Sequence, residues 1–258
     1  MFFGFQKYAV ASIVLSGLLL FQPMVHAETA LKVFSVNGVK NVMIALGEDF
    51  TAATGDRVEF TFGTIGALKE KMAAGEMPDV LIAITPAMTE AERRGQIFPG
   101  SSVEVGRTGV GIAVKEGATI PDISTPASLK TVLLGTQSLA YSDPQTGAAS
   151  GIVVAKMLAD LGVAEQVKGK SVLIRSGSVG ELVAQGTVEL GIQQITELLP
   201  VRGIVLVGPL PKELQVITSY RAGIMVNAQK PAVAEKFVRF VTSTEEAKRF
   251  ADAGFGQY

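Results

Sequence analysis

Short apolar segments alternate with helical patterns along most of this chain. Leu31–Val36 is mainly apolar, and from Val39 apolar residues recur at helical spacing until Gly55. Strand-like segments at residues 57–62 and 79–84 are each followed by another helical segment. Buried strands that alternate with helices form largely parallel sheets covered on both faces. The pattern therefore predicts an α/β fold.

The alternation begins again near residue 108, with no flexible linker before it. Further strands are predicted at residues 108–114, 138–142, 171–174 and 189–192, and further helices at 126–134, 151–161 and 179–185. Because no tether separates the two sets, ordered strands should join them near residues 106–111 and 214–223. We expect two lobes, each a mostly parallel sheet flanked by helices, connected by two hinge strands. The predicted limits are residues 28–107 plus 215–258 for lobe 1, and residues 108–214 for lobe 2.

The first 27 residues predict export. Lys7, an apolar run at residues 9–21 and the exit Val25-His26-Ala27 are the three parts of a secretory signal peptide. A retained anchor is disfavoured because the apolar run is short for a bilayer span and is followed by Pro23. We expect residues 1–27 to be cleaved.

Composition excludes several kinds of chemistry. The chain has no Cys, and its one His is His26, in the predicted signal peptide. The mature chain would lack a His-assisted nucleophile, a thiolate and the usual zinc ligands, so we expect no metal and no other cofactor. Removal of Lys7 leaves 22 basic residues (23 minus 1) against 24 acidic ones, a net charge of −2. Nucleic acid is not an expected partner, since phosphate binding needs a basic surface.

Four loops that follow predicted strands and open helices are candidate anion sites, at residues 37–38, 63–66, 146–151 and 176–180. Backbone N–H groups at a helix start lack helical partners and carry partial positive charge, so they bind carboxylate or oxyanion oxygens. The strand ends of such sheets face one cleft. The candidates from these loops are Asn37, Gly38, Thr64, Ile65, Gly66, Thr146 and Ser150. The alternative is that these residues only cap helices.

Polar residues at the ends of the second set of strands complete the candidate site. Tyr141 and Ser142 end one strand, Gln193 and Gln194 follow another, and Arg175 follows a third. Buried glutamines need hydrogen-bond partners, which a ligand would supply, and an arginine can hold a carboxylate by two parallel bonds. Tyr141 could instead be a core aromatic residue, and Arg175 a solvated surface residue.

No acid–base pair can be assigned from the sequence. Asp143 is a candidate base, but Asp-Pro after a strand more commonly forms a turn. Glu181 and Glu197 are similarly ambiguous. Glu181 falls in the first turn of a predicted helix, where the helix dipole favours a carboxylate without any catalytic role. Arg107 and Tyr220 fall near the predicted crossings between lobes.

Five motifs occur in a characteristic order, at residues 31–34, 62–68, 73–80, 142–144 and 190–192. Together they resemble the periplasmic substrate-binding proteins of ABC transporters, in the branch that includes the molybdate-binding protein. The resemblance covers nearly the whole mature chain. It implies a type 2 periplasmic binding fold, a place in the periplasm, a small anionic ligand in the cleft and delivery to an inner-membrane ABC permease. We expect a monomer.

Departures from this family's pattern bear on the ligand. The family's molybdate sites use serine hydroxyls at two positions that match Gly38 and Ile65, neither of which has a side-chain donor, although Asn37 and Thr64 are adjacent. We therefore expect an organic polycarboxylate rather than molybdate. Residues 141–143 and 193–198 resemble a subgroup that contains the periplasmic aconitate isomerase, which needs no cofactor. A binding protein is the favoured function, and a cofactor-free isomerase of aconitate-like polycarboxylates is the alternative.

Overall fold

The computed structural model describes residues 1–4 and 30–256. Apart from its first four residues, the predicted signal peptide lies outside the described residues. Within the described ranges, no helix is long and apolar enough to cross a membrane. The strands are β1 (Leu31–Val36), β2 (Val58–Gly63), β3 (Val80–Ile84), β4 (Val103–Thr108), β5 (Val110–Lys115), β6 (Leu139–Ser142), β7 (Ser171–Ile174), β8 (Leu190–Gln194), β9 (Ile204–Pro209) and β10 (Thr218–Ile224).

Helices connect and cover these strands. Single 3-10 turns lie at Asn37–Val39, Pro144–Thr146 and Thr244–Glu246. The α-helices are α1 (Lys40–Thr54), α2 (Ile65–Ala73), α3 (Thr85–Arg93), α4 (Pro126–Gly135), α5 (Ala149–Asp160), α6 (Ala164–Lys168), α7 (Val179–Ala184), α8 (Ile195–Leu198), α9 (Pro231–Val241) and α10 (Ala247–Asp252).

The strands form two five-stranded sheets, in the orders β2-β1-β3-β10-β4 and β7-β6-β8-β5-β9. In the first sheet β10 is antiparallel to both of its neighbours, and in the second sheet β5 is. The other four strands of each sheet point the same way, since β1 and β6 pair parallel with their neighbours. The predicted α/β fold with two mostly parallel sheets is confirmed.

The chain passes between the sheets twice. It leaves the first sheet at the end of β4 and enters the second with β5, separated only by Gly109. It returns between β9 and β10, where the Gln215 side-chain amide donates to the Val110 carbonyl at 2.8 Å and accepts from the Val110 N–H at 2.9 Å. The two crossings are therefore bonded to each other. The exact lobe limits stay a prediction.

Several predicted elements differ from the structure. The strand expected at residues 108–114 is β5, and β4 before it was not predicted, nor was α6. Gln193 and Gln194, expected in a loop, are the last residues of β8, because β5 supplies their ladder partners. The extended run expected at residues 214–226 is a strand only over β10.

Two large hydrophobic cores and one smaller cluster, formed by Ala140, Val179, Val183 and Val188, hold the helices against the sheets. In the first, the Phe50 ring of α1 packs edge-to-face on the Phe237 ring of α9, with centroids 5.3 Å apart. The second core lies around β5, β6 and β8, with Leu129 and Met157 fully buried. Each sheet therefore packs against its helices through its own hydrophobic core.

Asp79 ties the first sheet to α9. This buried carboxylate accepts hydrogen bonds from the backbone N–H groups of Lys32 at 2.9 Å, Gln229 at 2.6 Å and Lys230 at 3.1 Å. Because these donors lie in β1 and in the two residues just before α9, Asp79 fixes the approach to α9. Its role is structural.

Candidate functional site between the sheets

A cleft with an empty volume of about 520 Å³, part of it open to solvent, lies where the loops after β1, β2, β6, β7 and β8 meet β10. Loops at strand ends are where ligands of such sheets bind. Of the predicted site residues, those on the cleft wall are Asn37, Gly38, Thr64, Ile65, Ser142, Ser150, Arg175, Gln193 and Gln194. Gly66, Tyr141 and Thr146 are not on it.

The loop after β1 contacts the opposite half of the molecule. Gly38 is buried in the 3-10 turn Asn37–Val39, and its carbonyl accepts a hydrogen bond from the Thr196 hydroxyl at 2.7 Å. A Cβ at residue 38 would lie 2.1 Å from the Tyr220 hydroxyl oxygen. Glycine is therefore required here because the Tyr220 side chain occupies the space that a side chain would need.

The loop after β2 supplies Thr64 and Ile65 to the cleft. The Thr64 hydroxyl caps α2 by accepting from the Ala67 N–H at 3.3 Å, so capping and a place on the cleft wall coincide. Ile65, the first residue of α2, adds an apolar surface. This loop therefore offers one hydroxyl and one hydrocarbon group to a ligand.

Gly66 and Thr146 lie where the two walls touch. A Cβ on Gly66 would be 2.7 Å from the Thr146 carbonyl oxygen, and a Cβ on Gly147 would be 3.0 Å from Cγ2 of Ile65. The prediction that Gly66 and Thr146 line the cleft is not met in this geometry, because they contact each other rather than the cleft space. They form the rim contact, defined here as the Gly66–Thr146 approach.

Strand alternation separates Ser142 from Tyr141. Ser142 faces the cleft beside Ser150, whose hydroxyl lies 3.4 Å from the Ser142 hydroxyl. Tyr141 points to the opposite face of β6 and packs in the second core, where burial raises the pKa of its hydroxyl. Tyr141 is therefore a core aromatic residue, the alternative that the sequence had left open. The two serines place a pair of hydroxyl groups on the cleft wall.

Asp143 and Arg175 form a pair at the cleft edge. One Asp143 carboxylate oxygen accepts from the Gln145 N–H at 2.9 Å, and the other lies 3.4 Å from an Arg175 guanidinium nitrogen. The Arg175 side chain is 74% exposed and lines the cleft. Asp143 is therefore a turn residue that steadies Arg175, and Arg175 is the accessible cation.

The two glutamines have different partners. Gln193 accepts from the Val179 N–H at 3.0 Å through Oε1 and donates from Nε2 to Glu197 at 3.1 Å. Gln194 donates from Nε2 to the Thr218 hydroxyl at 3.0 Å. Its Oε1 is buried and, among the described residues, has no hydrogen-bond partner. The protein thus satisfies Gln193 and leaves one acceptor of Gln194 for a ligand.

Glu197 and Tyr220 belong to the wall but were not among the predicted site residues. Glu197 lies in α8, directly after β8, and burial raises the pKa of its carboxyl to about 7. Tyr220 of β10 is 1% exposed, and burial, with the nearby Glu197, raises the pKa of its hydroxyl well above the usual range. The sequence left the role of Glu197 ambiguous and placed Tyr220 only near a predicted crossing between lobes; neither signal indicated that the two side chains meet on the cleft wall.

A second cavity adjoins the cleft. It has an empty volume of about 1190 Å³, much of it open to solvent, and shares Asn37, Gly177, Gln193 and Glu197 with the cleft. Two exposed basic residues, Lys40 and Arg202, line it. Over residues 1–4 and 30–256, no group of three or more His, Cys, Asp or Glu side chains could hold a metal ion.

Comparison with known proteins identifies the family. Residues 31–256 match the family described as bacterial extracellular solute-binding protein. The chain belongs to this family. It is 30% identical over 245 residues to an aconitate isomerase of Pseudomonas sp, with 92% of each chain covered. The resemblance stated from the sequence motifs is confirmed.

Solved structures share the fold. The periplasmic molybdate-binding protein of Azotobacter vinelandii superposes with a TM-score of 0.73 at 20% identity, covering 88% of this chain and 99% of that one. The L-phospholactate-bound PEB3, a Campylobacter jejuni protein, superposes with a TM-score of 0.68 at 18% identity, covering 88% and 100%. The family match thus indicates an extracellular solute-binding protein, and these structural likenesses show that its fold is shared.

Proposed function

We propose that this protein captures a small organic polycarboxylate in the cleft between its two sheets. The observation that carries the proposal is Glu197, a carboxyl group on the cleft wall. A compact inorganic dianion would meet this carboxyl and the unpaired Oε1 of Gln194 at close range, and like charges repel strongly in a site of low dielectric. An organic acid can instead place hydrocarbon against Glu197 and its carboxylates elsewhere.

Other groups on the cleft wall are suited to carboxylates. The Arg175 guanidinium stands at the cleft edge, and the hydroxyls of Ser142 and Ser150 form a pair on the second-sheet wall. A guanidinium and hydroxyl donors both bind carboxylate oxygens. A ligand with two or more carboxylates on a short carbon chain would reach both while its chain faces Ile65.

Two relatives support an organic acid. The aconitate isomerase of Pseudomonas acts on a tricarboxylate by its name, and PEB3 has been solved with L-phospholactate. Molybdate is disfavoured because neither Gly38 nor Ile65 has a side-chain hydroxyl. In addition, the Tyr220 side chain occupies the space that a side chain at residue 38 would need. Export through the predicted signal peptide and delivery of the ligand to an inner-membrane ABC permease complete the proposed role.

A second candidate function is the isomerisation of aconitate or a similar unsaturated polycarboxylate. The Glu197 pKa of about 7 favours it, because a group that transfers protons works best when its pKa is near the ambient pH. The similarity to the aconitate isomerase of Pseudomonas sp extends over 92% of both chains, which also supports this candidate. Binding is common to both functions.

A ligand panel tests the binding proposal. We expect cis-aconitate, trans-aconitate or citrate to raise the melting temperature of the mature protein, since a ligand at 100 times its Kd adds about 2.7 kcal/mol. Arg175→Gln should reduce the shift, whereas Arg239→Gln, a similarly exposed arginine on α9, should not. Stabilisation by molybdate or sulfate alone would show that the ligand class is wrong.

A direct assay tests the second candidate. Mature protein is incubated with cis-aconitate, and trans-aconitate is followed by proton NMR. Turnover shows that the cleft is catalytic, and saturable binding without conversion shows a binding protein for that compound.

A further inference from the structure

We propose that Glu197 is a catalytic residue that carries the proton during isomerisation, with Gln193 as its positioning residue. The inference rests on the proposed binding of an unsaturated polycarboxylate in the cleft and deepens its second candidate. Neither the family match nor the comparisons assign a role to either side chain.

The position of Glu197 is fixed by its neighbours. It follows β8 directly in the short helix α8, and Gln193 Nε2 donates to its Oε1 at 3.1 Å. Gln193 is itself held, because its Oε1 accepts from the Val179 N–H at 3.0 Å. One carboxyl oxygen is thereby oriented by an amide, and the group as a whole stays on the cleft wall.

Glu197 has no charge partner that would lock it in one protonation state. Among the described residues it forms no ion pair. The titratable and charged groups around it, from each element that borders the cleft and the adjoining cavity, are Tyr220 of β10, Lys40 of α1, Glu181 of α7, Arg202 after α8 and Arg175 after β7. Desolvation is the cause of its raised pKa, so the carboxyl can both accept and return a proton near neutral pH.

The chemistry needs one such group. For aconitate, the Glu197 carboxylate removes a proton from the methylene carbon, and the electron pair of the broken C–H bond moves into the conjugated carbon–carbon and carboxyl system. The double bond shifts by one carbon, and Glu197 returns a proton to the former vinyl carbon. One C–H bond breaks and one forms, so no oxidant, reductant or cofactor is consumed. The geometry about the new double bond is set by how the carbon chain is held.

Two other wall groups suit the intermediate. The Tyr220 hydroxyl lies against Gly38 at the inner end of the cleft, and its raised pKa keeps it protonated as a donor. A donor at this point can stabilise the negative charge that develops on a carboxyl oxygen when the proton leaves. Gln194 Oε1, which has no partner among the described residues, can accept from a protonated ligand carboxyl.

Three variants test the assignment. Glu197→Gln keeps size and the hydrogen bond from Gln193 but cannot carry a proton, Glu197→Asp keeps a carboxyl, and Glu165→Gln makes the same chemical change at an exposed position. We expect kcat for cis-aconitate to fall about 10²- to 10⁴-fold in Glu197→Gln, with binding changed only a few-fold. Glu197→Asp should recover part of the rate, and Glu165→Gln should match the wild type.

The pH profile separates a proton carrier from a structural group. In the wild type, kcat/KM should rise as pH increases through about 7, because the free carboxylate is the base. Gln193→Leu removes the orienting amide and should lower kcat and move this inflection, whereas a residue with only a packing role would leave the inflection in place.

Each outcome decides the proposal. Full turnover by Glu197→Gln overturns it, and so does wild-type protein that binds aconitate without converting it or exchanging its carbon-bound hydrogen in D2O. That second result leaves the proposed binding function intact. Absence of any carboxylate binding overturns the proposed function, and the catalytic assignment with it. If Glu197→Gln fails to fold, loss of rate in Glu197→Asp with wild-type melting temperature decides instead.

Discussion

Replacing Gly66 by alanine should weaken ligand binding without destabilising the free protein. The new methyl carbon would lie 2.7 Å from the Thr146 carbonyl oxygen, in the rim contact between the two cleft walls. Ordinary contacts begin near 3.4 Å, so the walls must separate by about 0.7 Å. Thr146 cannot yield easily, because both its N–H and its hydroxyl donate to the Asp143 carbonyl, at 3.1 and 2.7 Å.

The size of the effect follows from where the clash occurs. Overpacking of this kind costs about 1–3 kcal/mol. If the cost arises only when the cleft closes, the affinity falls by about 5- to 140-fold, at 1.4 kcal/mol per factor of ten. We expect the unliganded protein to escape the clash by a small rotation at the two crossings between the sheets.

Calorimetric titration with the carboxylate that binds wild-type protein, and melting of the unliganded proteins, measure the two effects. Gly135→Ala is the matched control, since a Cβ there meets nothing within 4 Å. Wild-type affinity in Gly66→Ala would refute the closure reasoning. A lower melting temperature without ligand would show instead that the rim contact is permanent.

Three further predictions concern stability. Gly38→Ala should lower the free energy of unfolding, measured in urea, by about 1–3 kcal/mol. Adding Tyr220→Phe to this variant should restore only part of the loss, because the ring carbon Cζ would still lie 2.6 Å from the new methyl carbon. A Gly38→Ala variant as stable as the wild type would contradict this packing. Asp79→Ala should cost about 3 kcal/mol in the same assay, since three part-buried backbone donors lose their buried acceptor, and a change below 1 kcal/mol would count against that role. The free energy of unfolding should fall by at most about 3 kcal/mol as pH rises from 4.5 to about 7, because the native state holds a proton on Glu197 that the unfolded state releases. Glu197→Gln should remove this slope, and an unchanged slope would place the proton elsewhere.

The sequence was sufficient for most of the architecture. Strands such as β1 and helices such as α9 have apolar patterns that fix their type and nearly their limits. β4 was not predicted because its sequence pattern is weak and is interrupted by Gly106. The Phe255 ring packs against Gly106, with its nearest carbon 2.6 Å from where a Cβ on Gly106 would lie. That contact depends on the far end of the chain.

The inner end of the cleft could not be predicted for a similar reason. Tyr220 reaches Gly38 only because β10 returns to the first sheet between β3 and β4. The hydrogen bond from Thr196 to Gly38 joins residues 158 positions apart. Loops after strands could be assigned to one cleft by the rule for parallel sheets, but which side chains meet across it depends on how the two sheets face each other.

Composition and geometry converge on one side chain. Beyond His26 the chain has no His and no Cys, so no side chain has an ordinary pKa near neutral pH. A group that titrates there must have a shifted pKa, and burial raises the pKa of the Glu197 carboxyl to about 7. Its hydrogen-bond partner in the wall is the Gln193 amide. Under the proposed function, the same carboxyl would disfavour compact inorganic dianions in the cleft. In our proposals, the selection of an organic acid and the capacity for proton transfer would therefore both depend on the Glu197 carboxyl.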